Sequence, residues 1–313
     1  MTGAPCTNNG QQASWGEDSQ QGGQMDNPPD FMAQWDYRAP AASAPRFHAL
    51  LPEARAAADL QYELELLTQI ARTHSLQRQF AQAHQLLDEI EPRLTDATPR
   101  ARLRALLERG RTFNSAGDKA SAKTLFEQAW QLGLKHKELY LAIDAAHMIA
   151  IAAPLEEQSR WHQLAMELAE RSTDQKVRGW LATLYNNQGW TLFELGRFDE
   201  ARGFQQKCLA WHEQHNNQAK AFIARWSLAR LLRAQDQHEQ ALADLMQLKA
   251  DMAAAGVAED GYLFEELGEN ALVLDDPAAA EYFSRAWFLL SQDRWLKANE
   301  AERLARLKLL AKL

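Results

Sequence analysis

The sequence predicts an all-α protein, a solenoid of about six helical hairpins followed by a C-terminal capping helix. Three features predict it. From about Ala56 onward apolar residues recur at spacings of three and four instead of alternating, which is the period of a helix with one buried face. Single Gly or Asp positions punctuate these runs where helices must end. One pattern of small and large residues also returns along the chain at spacings of 36 to 43 residues.

Residues 1–45 are rich in Gln, Asn, Gly and Ser and hold five of the ten prolines, so they are expected to form a flexible tail. Within it, FMAQWDYR at 31–38 carries aromatic residues that a purely solvating segment does not need. Two readings follow: the cluster docks on the first repeat as a cap, or it is a motif recognised by partners. Residues 46–290 carry the hairpins. Thr98-Pro99 and Asp276-Pro277 read as helix starts, because the N–H that proline lacks is not needed in the first turn. Gly117, Gly133 and Gly196 read as stops.

The pattern is clearest in NNQGWTLFELGRFDEARGFQQKCLAW, residues 186–211, and LLERGRTFNSAGDKASAKTLFEQAW, residues 106–130. Gly189 aligns with Gly110, Leu192 with Phe113, Gly196 with Gly117, Ala201 with Ala122 and Cys208 with Ala129. The same register holds Ala71, His74, Ala83, Leu87 and Ile90, and again Ala229, Leu232, Ala241, Leu245 and Leu248. Fainter copies run through Ala146, Ile149 and Ala165, with Gln158 replacing the marker alanine, and through Gly268, Ala271, Ala279, Phe283 and Ala286. Antiparallel helices approach closely only where their crossing residues are small, and Gly189 and Ala201 fit that requirement. Leu192, Phe198 and Phe204 are placed to fill the flanks. A hairpin buries only one face alone, so copies must stack. In 291–313, Leu304, Leu307 and Ala311 share one face, with Arg303, Arg306, Lys308 and Lys312 elsewhere, as a solvating end cap would have.

Six units over about residues 62–290 resemble the tetratricopeptide repeat (TPR) family, whose signature places large, Leu-Gly and aromatic residues before Ala, Phe and Ala. Their spacing exceeds the usual 34 residues and is similar to that of the extended-repeat members, such as kinesin light chains and bacterial peptide-sensing regulators. The resemblance implies a right-handed α-solenoid whose first helices line a concave surface. Positions six and nine of each unit would then face a ligand: Gln69 and Arg72, Glu108 and Arg111, Asp144 and His147, Asn187 and Trp190, Ser227 and Arg230, Glu266 and Glu269. Asn114 and Arg233 lie one turn further on. From these, Arg72, Arg111, Asn114, His147, Asn187, Trp190, Trp226, Arg230 and Arg233 are the candidate partner-binding residues. Guanidinium forks suit carboxylates, asparagine amides suit peptide groups, and tryptophans offer flat apolar area. The opposing reading is that these arginines pair internally and the tryptophans pack. The lysines of the family's carboxylate clamp are absent, which argues against recognition of a chain-terminal carboxylate.

No Gly-rich phosphate loop, G-x-S-x-G or paired Cys motif occurs, so no catalytic residue, cofactor or metal is expected. His212 and His215 lack a third ligand nearby and read as a solvated helix end. Cys208 reads as an inert core thiol. Cys6 and Cys208 make no disulfide framework, pointing to a reducing, cytoplasmic setting. A net charge of -8 disfavours nucleic acid as a partner. The uncharged run from Ala145 to Leu155 is too short for a membrane span, and no helix-turn-helix precedes the repeats. The expected function is a non-catalytic scaffold binding a peptide or extended protein segment; the alternative is a regulator that senses a peptide or small effector.

Overall fold

The computed structural model describes residues 29–313 and contains no strand among them. The tail sequence at 1–28, with Cys6, lies outside these described residues. The chain divides into two units, one reaching Trp180 and one starting at Leu181.

In the first unit a 3-10 turn at Phe31–Gln34 leads to α1 (Pro40–Ala56), which starts inside the stretch expected to be tail. Pro40 sets the first turn, where no N–H is needed. Three hairpins follow: α2 (Leu60–Leu76) with α3 (Phe80–Ile90), α4 (Pro99–Ala116) with α5 (Lys119–Lys135), and α6 (Leu139–Ala152) with α7 (Leu155–Arg171). The single-turn α8 (Gln175–Arg178) ends the unit. The second unit holds α9 (Trp180–Glu194, whose first residue still belongs to the first unit) with α10 (Phe198–Gln214), α11 (Gln218–Ala234) with α12 (His238–Ala254), and α13 (Gly261–Val273) with α14 (Ala279–Leu290). Short α15 (Arg294–Asn299) and α16 (Ala301–Leu310) complete it. Each unit is therefore a stack of antiparallel hairpins, the all-α solenoid arrangement that the sequence predicts.

The repeat markers are the core. Ala83, Ala122, Ala201 and Ala241 are fully buried, as are Leu87, Phe126, Leu245 and Phe283 at the turn of helix that follows. Small residues at 110, 189 and 268 admit a partner side chain, but that partner is not the marker alanine. A Cβ at Gly110 would lie 2.5 Å from the Phe126 ring, at Gly268 2.9 Å from Phe283, and at Gly189 2.7 Å from the Gln205 amide nitrogen. Each opposing residue sits one turn beyond the alanine. Ala201 instead packs with Leu192 and Leu231, flanked by Phe193, Phe198 and Phe204.

Gly117 and Gly196 end α4 and α9 with positive φ, as expected. Gly133 does not stop α5: it lies inside the helix, where a Cβ would come within 2.9 Å of Ala142 on α6. Its role is close helix approach. Pro99 opens α4 as predicted. At the other proposed start, the Asp276 carboxylate caps a turn through the Ala278 N–H, and α14 begins two residues later than Pro277.

Candidate functional site

In the first unit, α2, α4 and α6 form a wall along which positions six and nine of neighbouring repeats meet. Arg72 on α2 reaches Glu108 on α4, at 3.1 Å and 3.2 Å to its two oxygens. Arg111, three residues after Glu108, donates to it at 2.7 Å and forks across to Asp144 on α6 at 2.5 Å and 2.6 Å. All four groups are buried or nearly so. Burial opposes their charges, but pairing outweighs it: Asp144 is held below the ordinary carboxylate range by Arg111, and Arg111 is held above its usual value by Asp144 and Glu108.

This network is covered by the chain itself. The indole N–H of Trp35 donates to Gln69 at 3.0 Å, and the indole stacks on Tyr37 with centroids 4.7 Å apart and planes 5° from parallel. The Arg72 guanidinium carbon lies 5.8 Å from the Trp35 ring and 5.5 Å from that of Tyr37. Such placements over an aromatic face are attractive because the ring quadrupole is negative there. Phe31 tilts against Tyr62 at 5.5 Å and lies beneath Arg104. Burial raises the Tyr37 hydroxyl pKa, so it stays protonated among these charges. Residues 31–38 thus dock on the wall, across three repeats.

His147, one turn after Asp144, is buried with its ring 5.5 Å from that of Trp180. Burial pushes its pKa down to about 4, against the opposing pull of Asp144 and with help from Arg111. The ring is neutral in the folded protein and takes a proton near pH 6.5 once unfolded. Its contribution is therefore complete above pH 6.5 and is lost as pH falls from 6.5 toward 4. That is about 3 kcal/mol at the lower end. Urea midpoints measured from pH 7 to pH 4.5 should fall steeply for the wild type and less so for His147→Asn; parallel profiles would contradict this assignment.

In the second unit the same register builds a second wall. Arg230 and Arg233 on α11 both pair with Glu266 on α13, Arg233 at 2.6 Å and 2.9 Å. Glu265 and Glu269 are matched by Arg303 and Arg306 on α16. Glu266 and Glu269, the acidic last pair of the expected ligand-facing positions, are therefore neutralised, and two of the arginines of the expected solvating cap are structural ties. Leu304 and Leu307 are buried beneath them, as predicted. Arg230 also lies 6.0, 5.7 and 5.9 Å from the rings of Trp190, Phe193 and Trp226. Both tryptophans are partly exposed, and the Trp226 indole N–H donates to the Tyr262 carbonyl. Asn187, one turn before Trp190, is partly exposed as well.

The structure thus divides the nine candidates. Arg72, Arg111, Asn114 and His147 belong to the covered wall; Asn187, Trp190, Trp226, Arg230 and Arg233 belong to the partly open one. Asn114 has a buried side-chain oxygen without a hydrogen-bond partner. Sequence reasoning missed Trp35, Tyr37 and Arg104 as wall components. It placed Glu108, Asp144 and Glu266 at ligand-facing positions without choosing them as site residues; their separation from an arginine by 36 or 33 residues, one repeat apart, carries the signal that they pair with it. Cys208 is buried, its thiol pushed up to about 11 by that burial, and so protonated and unreactive at neutral pH. His212 is not fully solvated: partial burial lowers it to about 4. No helix among the described residues is long and apolar enough to cross a membrane.

Residues 181–219, α9 through the start of α11, match the family model of the tetratricopeptide repeat. No curated protein sequence matches the chain. Among solved structures, apo RapI is similar over 82% of this chain and 75% of its own, with a TM-score of 0.65 at 11% identity. BtubC (BKLC) from P. vanneervenii is similar over 74% of this chain and 94% of its own, with a TM-score of 0.56 at 17% identity. NprR in complex with its cognate peptide NprX is similar over 86% and 76%, with a TM-score of 0.51 at 12% identity. At these identities the likeness is one of fold. Residues 181–219 thus carry a tetratricopeptide repeat, and the stacked hairpins with their buried markers share the fold of these tetratricopeptide-repeat-like structures.

Proposed function

We propose that the protein is a non-catalytic interaction module that receives an extended peptide or protein segment along the walls built by its first helices. One observation carries this reading: the wall of α2, α4 and α6 holds a short segment of the protein's own chain, a 3-10 turn followed by a second turn, through aromatic rings and guanidinium groups. A surface that binds one such segment has the chemistry to bind another. The wall of α9, α11 and α13 offers matching groups to an external ligand, with Trp190 and Trp226 as flat anchors, Arg230 and Arg233 as cations and Asn187 for peptide groups. The fold shared with NprR, solved with a bound peptide, supports a peptide as the ligand class. The buried, protonated Cys208 thiol suits a reducing cytoplasmic setting.

Peptide display against the folded full chain tests the reading, with a Trp190→Ala/Trp226→Ala variant as comparator. These positions are chosen because removing Arg230 would take one of the two arginines that pair the buried Glu266 and confuse lost stability with loss of binding. Selected peptides should bind the variant at least tenfold more weakly, about 1.4 kcal/mol. No enrichment on the wild type, or enrichment indifferent to both tryptophans, would overturn the assignment to this wall.

A further inference from the structure

We infer that residues 31–38 are an exchangeable occupant of the α2–α4–α6 wall, and that an external segment bearing a Trp and a Tyr two residues apart displaces them. The inference rests on the reading of these walls as peptide-binding surfaces, and it commits to the chemistry of the ligand.

The floor of the wall is complete without its cover. The pairs from Arg72 to Glu108, from Arg111 to Glu108 and Asp144, and from Arg104 to Glu65 all join wall residues to one another. None uses residues 31–38. The segment adds rings and side-chain hydrogen bonds to this network: Trp35 and Tyr37 over Arg72, Phe31 beneath Arg104, the Trp35 indole N–H donating to Gln69, and Arg104 donating to the Met32 sulfur. Its backbone is held chiefly from the other side. The Asp36 N–H donates to the Ser43 hydroxyl of α1, and Arg46 of α1 donates to the Gln34 carbonyl. Two short turns, anchored by spaced rings in a charged groove with Phe31 as the buried ring, attach as a bound peptide does.

The second unit identifies what the wall selects. Arg230 stands in the register of Arg72 and makes the equivalent pair with a carboxylate one repeat on, but its guanidinium is covered by Trp190, Phe193 and Trp226 from neighbouring positions of the same unit. Arg72 lies in the first hairpin among the described residues, where no preceding hairpin supplies a ring. Its cover comes from Trp35 and Tyr37. The shared requirement is a pair of aromatic faces over a paired guanidinium, and any extended segment presenting a Trp and a Tyr at that spacing meets it.

Tethering decides the competition. A covalently linked segment acts at an effective concentration of about 1 mM, so an external copy with an intrinsic dissociation constant of about 10 µM binds roughly 100-fold more weakly than it would to an open wall. The test uses a fluorescein-labelled peptide of residues 29–39 and the full chain carrying Trp35→Ala/Tyr37→Ala. Fluorescence anisotropy should show the peptide binding this variant at least about 30-fold more tightly than the wild type. A peptide with both rings replaced by alanine should bind neither protein. Equal binding of the native peptide to variant and wild type, or none to a variant whose circular dichroism remains that of the wild type, overturns the inference.

If the double variant does not fold, hydrogen exchange on the wild type replaces it. Amides of residues 31–38 should exchange faster than those of α2 and α4, and faster still with millimolar native peptide; exchange only through global unfolding would identify the segment as core and overturn the inference. The two readings fail separately. Loss of the display result at Trp190 and Trp226 sinks the module assignment on α9–α13, while the anisotropy experiment reports only on α2–α6.

Discussion

Alanine at position 111 is expected to destabilise the first unit by about 3–5 kcal/mol, the range for removing one member of a buried ion pair. Arg111 forks to Asp144 and also serves Glu108, and all three lie out of water. Without it, Glu108 keeps Arg72, but Asp144 loses the partner that holds it ionised. Asp144 must then be buried unpaired or take up a proton. The second route ties the variant's stability to pH. In the wild type the depressed carboxyl adds stability above its ordinary value of 3.8 that is lost only as pH falls through the lower folded value. In the variant that gain is gone, so the deficit should be greatest at neutral pH and shrink in acid. Arg111→Met combined with Asp144→Leu should recover most of the loss, because replacing both partners with apolar groups leaves no orphan. Urea unfolding of the two single variants and the double variant measures this directly. A single-variant loss under about 1 kcal/mol would mean that solvent reaches the pair and screens it.

That network also marks the limit of what the sequence discloses. The spacing of Ala83, Ala122, Ala201 and Ala241 exposes the hairpins because burial demands small residues at the same place in every copy, so the repeat is written in residue size. The wall is written in charge, and charge is ambiguous in one dimension. Arg72, Arg111, Arg230 and Arg233 have the residue type of ligand-binding groups, yet each finds a carboxylate on the next first helix. Only the combination of a basic position nine with an acidic position six one repeat later separates a ladder from a ligand site. The combination lapses at Asn187, Trp190 and Ser227, the positions between the two ladders. Residues 31–38 escape repeat logic for a different reason. They occur once, and their wall partners lie 31 to 107 residues away on three different helices. Composition placed them in a tail; only the three-dimensional wall shows what their rings cover.

Phe126→Ala is expected to cost a further 3–5 kcal/mol, at the level of a buried phenylalanine reduced to a cavity, roughly. The ring is fully buried and fills the notch that Gly110 leaves on the facing helix. The notch makes the two positions interdependent. Gly110→Ala alone gains up to about 1 kcal/mol of helix propensity. It also drives a methyl to 2.5 Å from a ring atom, and such overpacking costs about 1–3 kcal/mol or more. Combining Gly110→Ala with Phe126→Leu should give less than the sum of the separate losses, since the smaller side chain vacates the space that the methyl requires, a coupling of about 0.5–3 kcal/mol. Gly189 provides the contrast. Its opposing group is the Gln205 amide, which donates to the Asn186 carbonyl at 3.2 Å and can swing aside by rotating about its own bonds. Gly189→Ala should therefore cost less than Gly110→Ala. Thermal unfolding of the two variants decides it: equal losses would mean that the glycines serve backbone freedom alone, and the matching of notch to side chain would not be what sets the hairpin crossing.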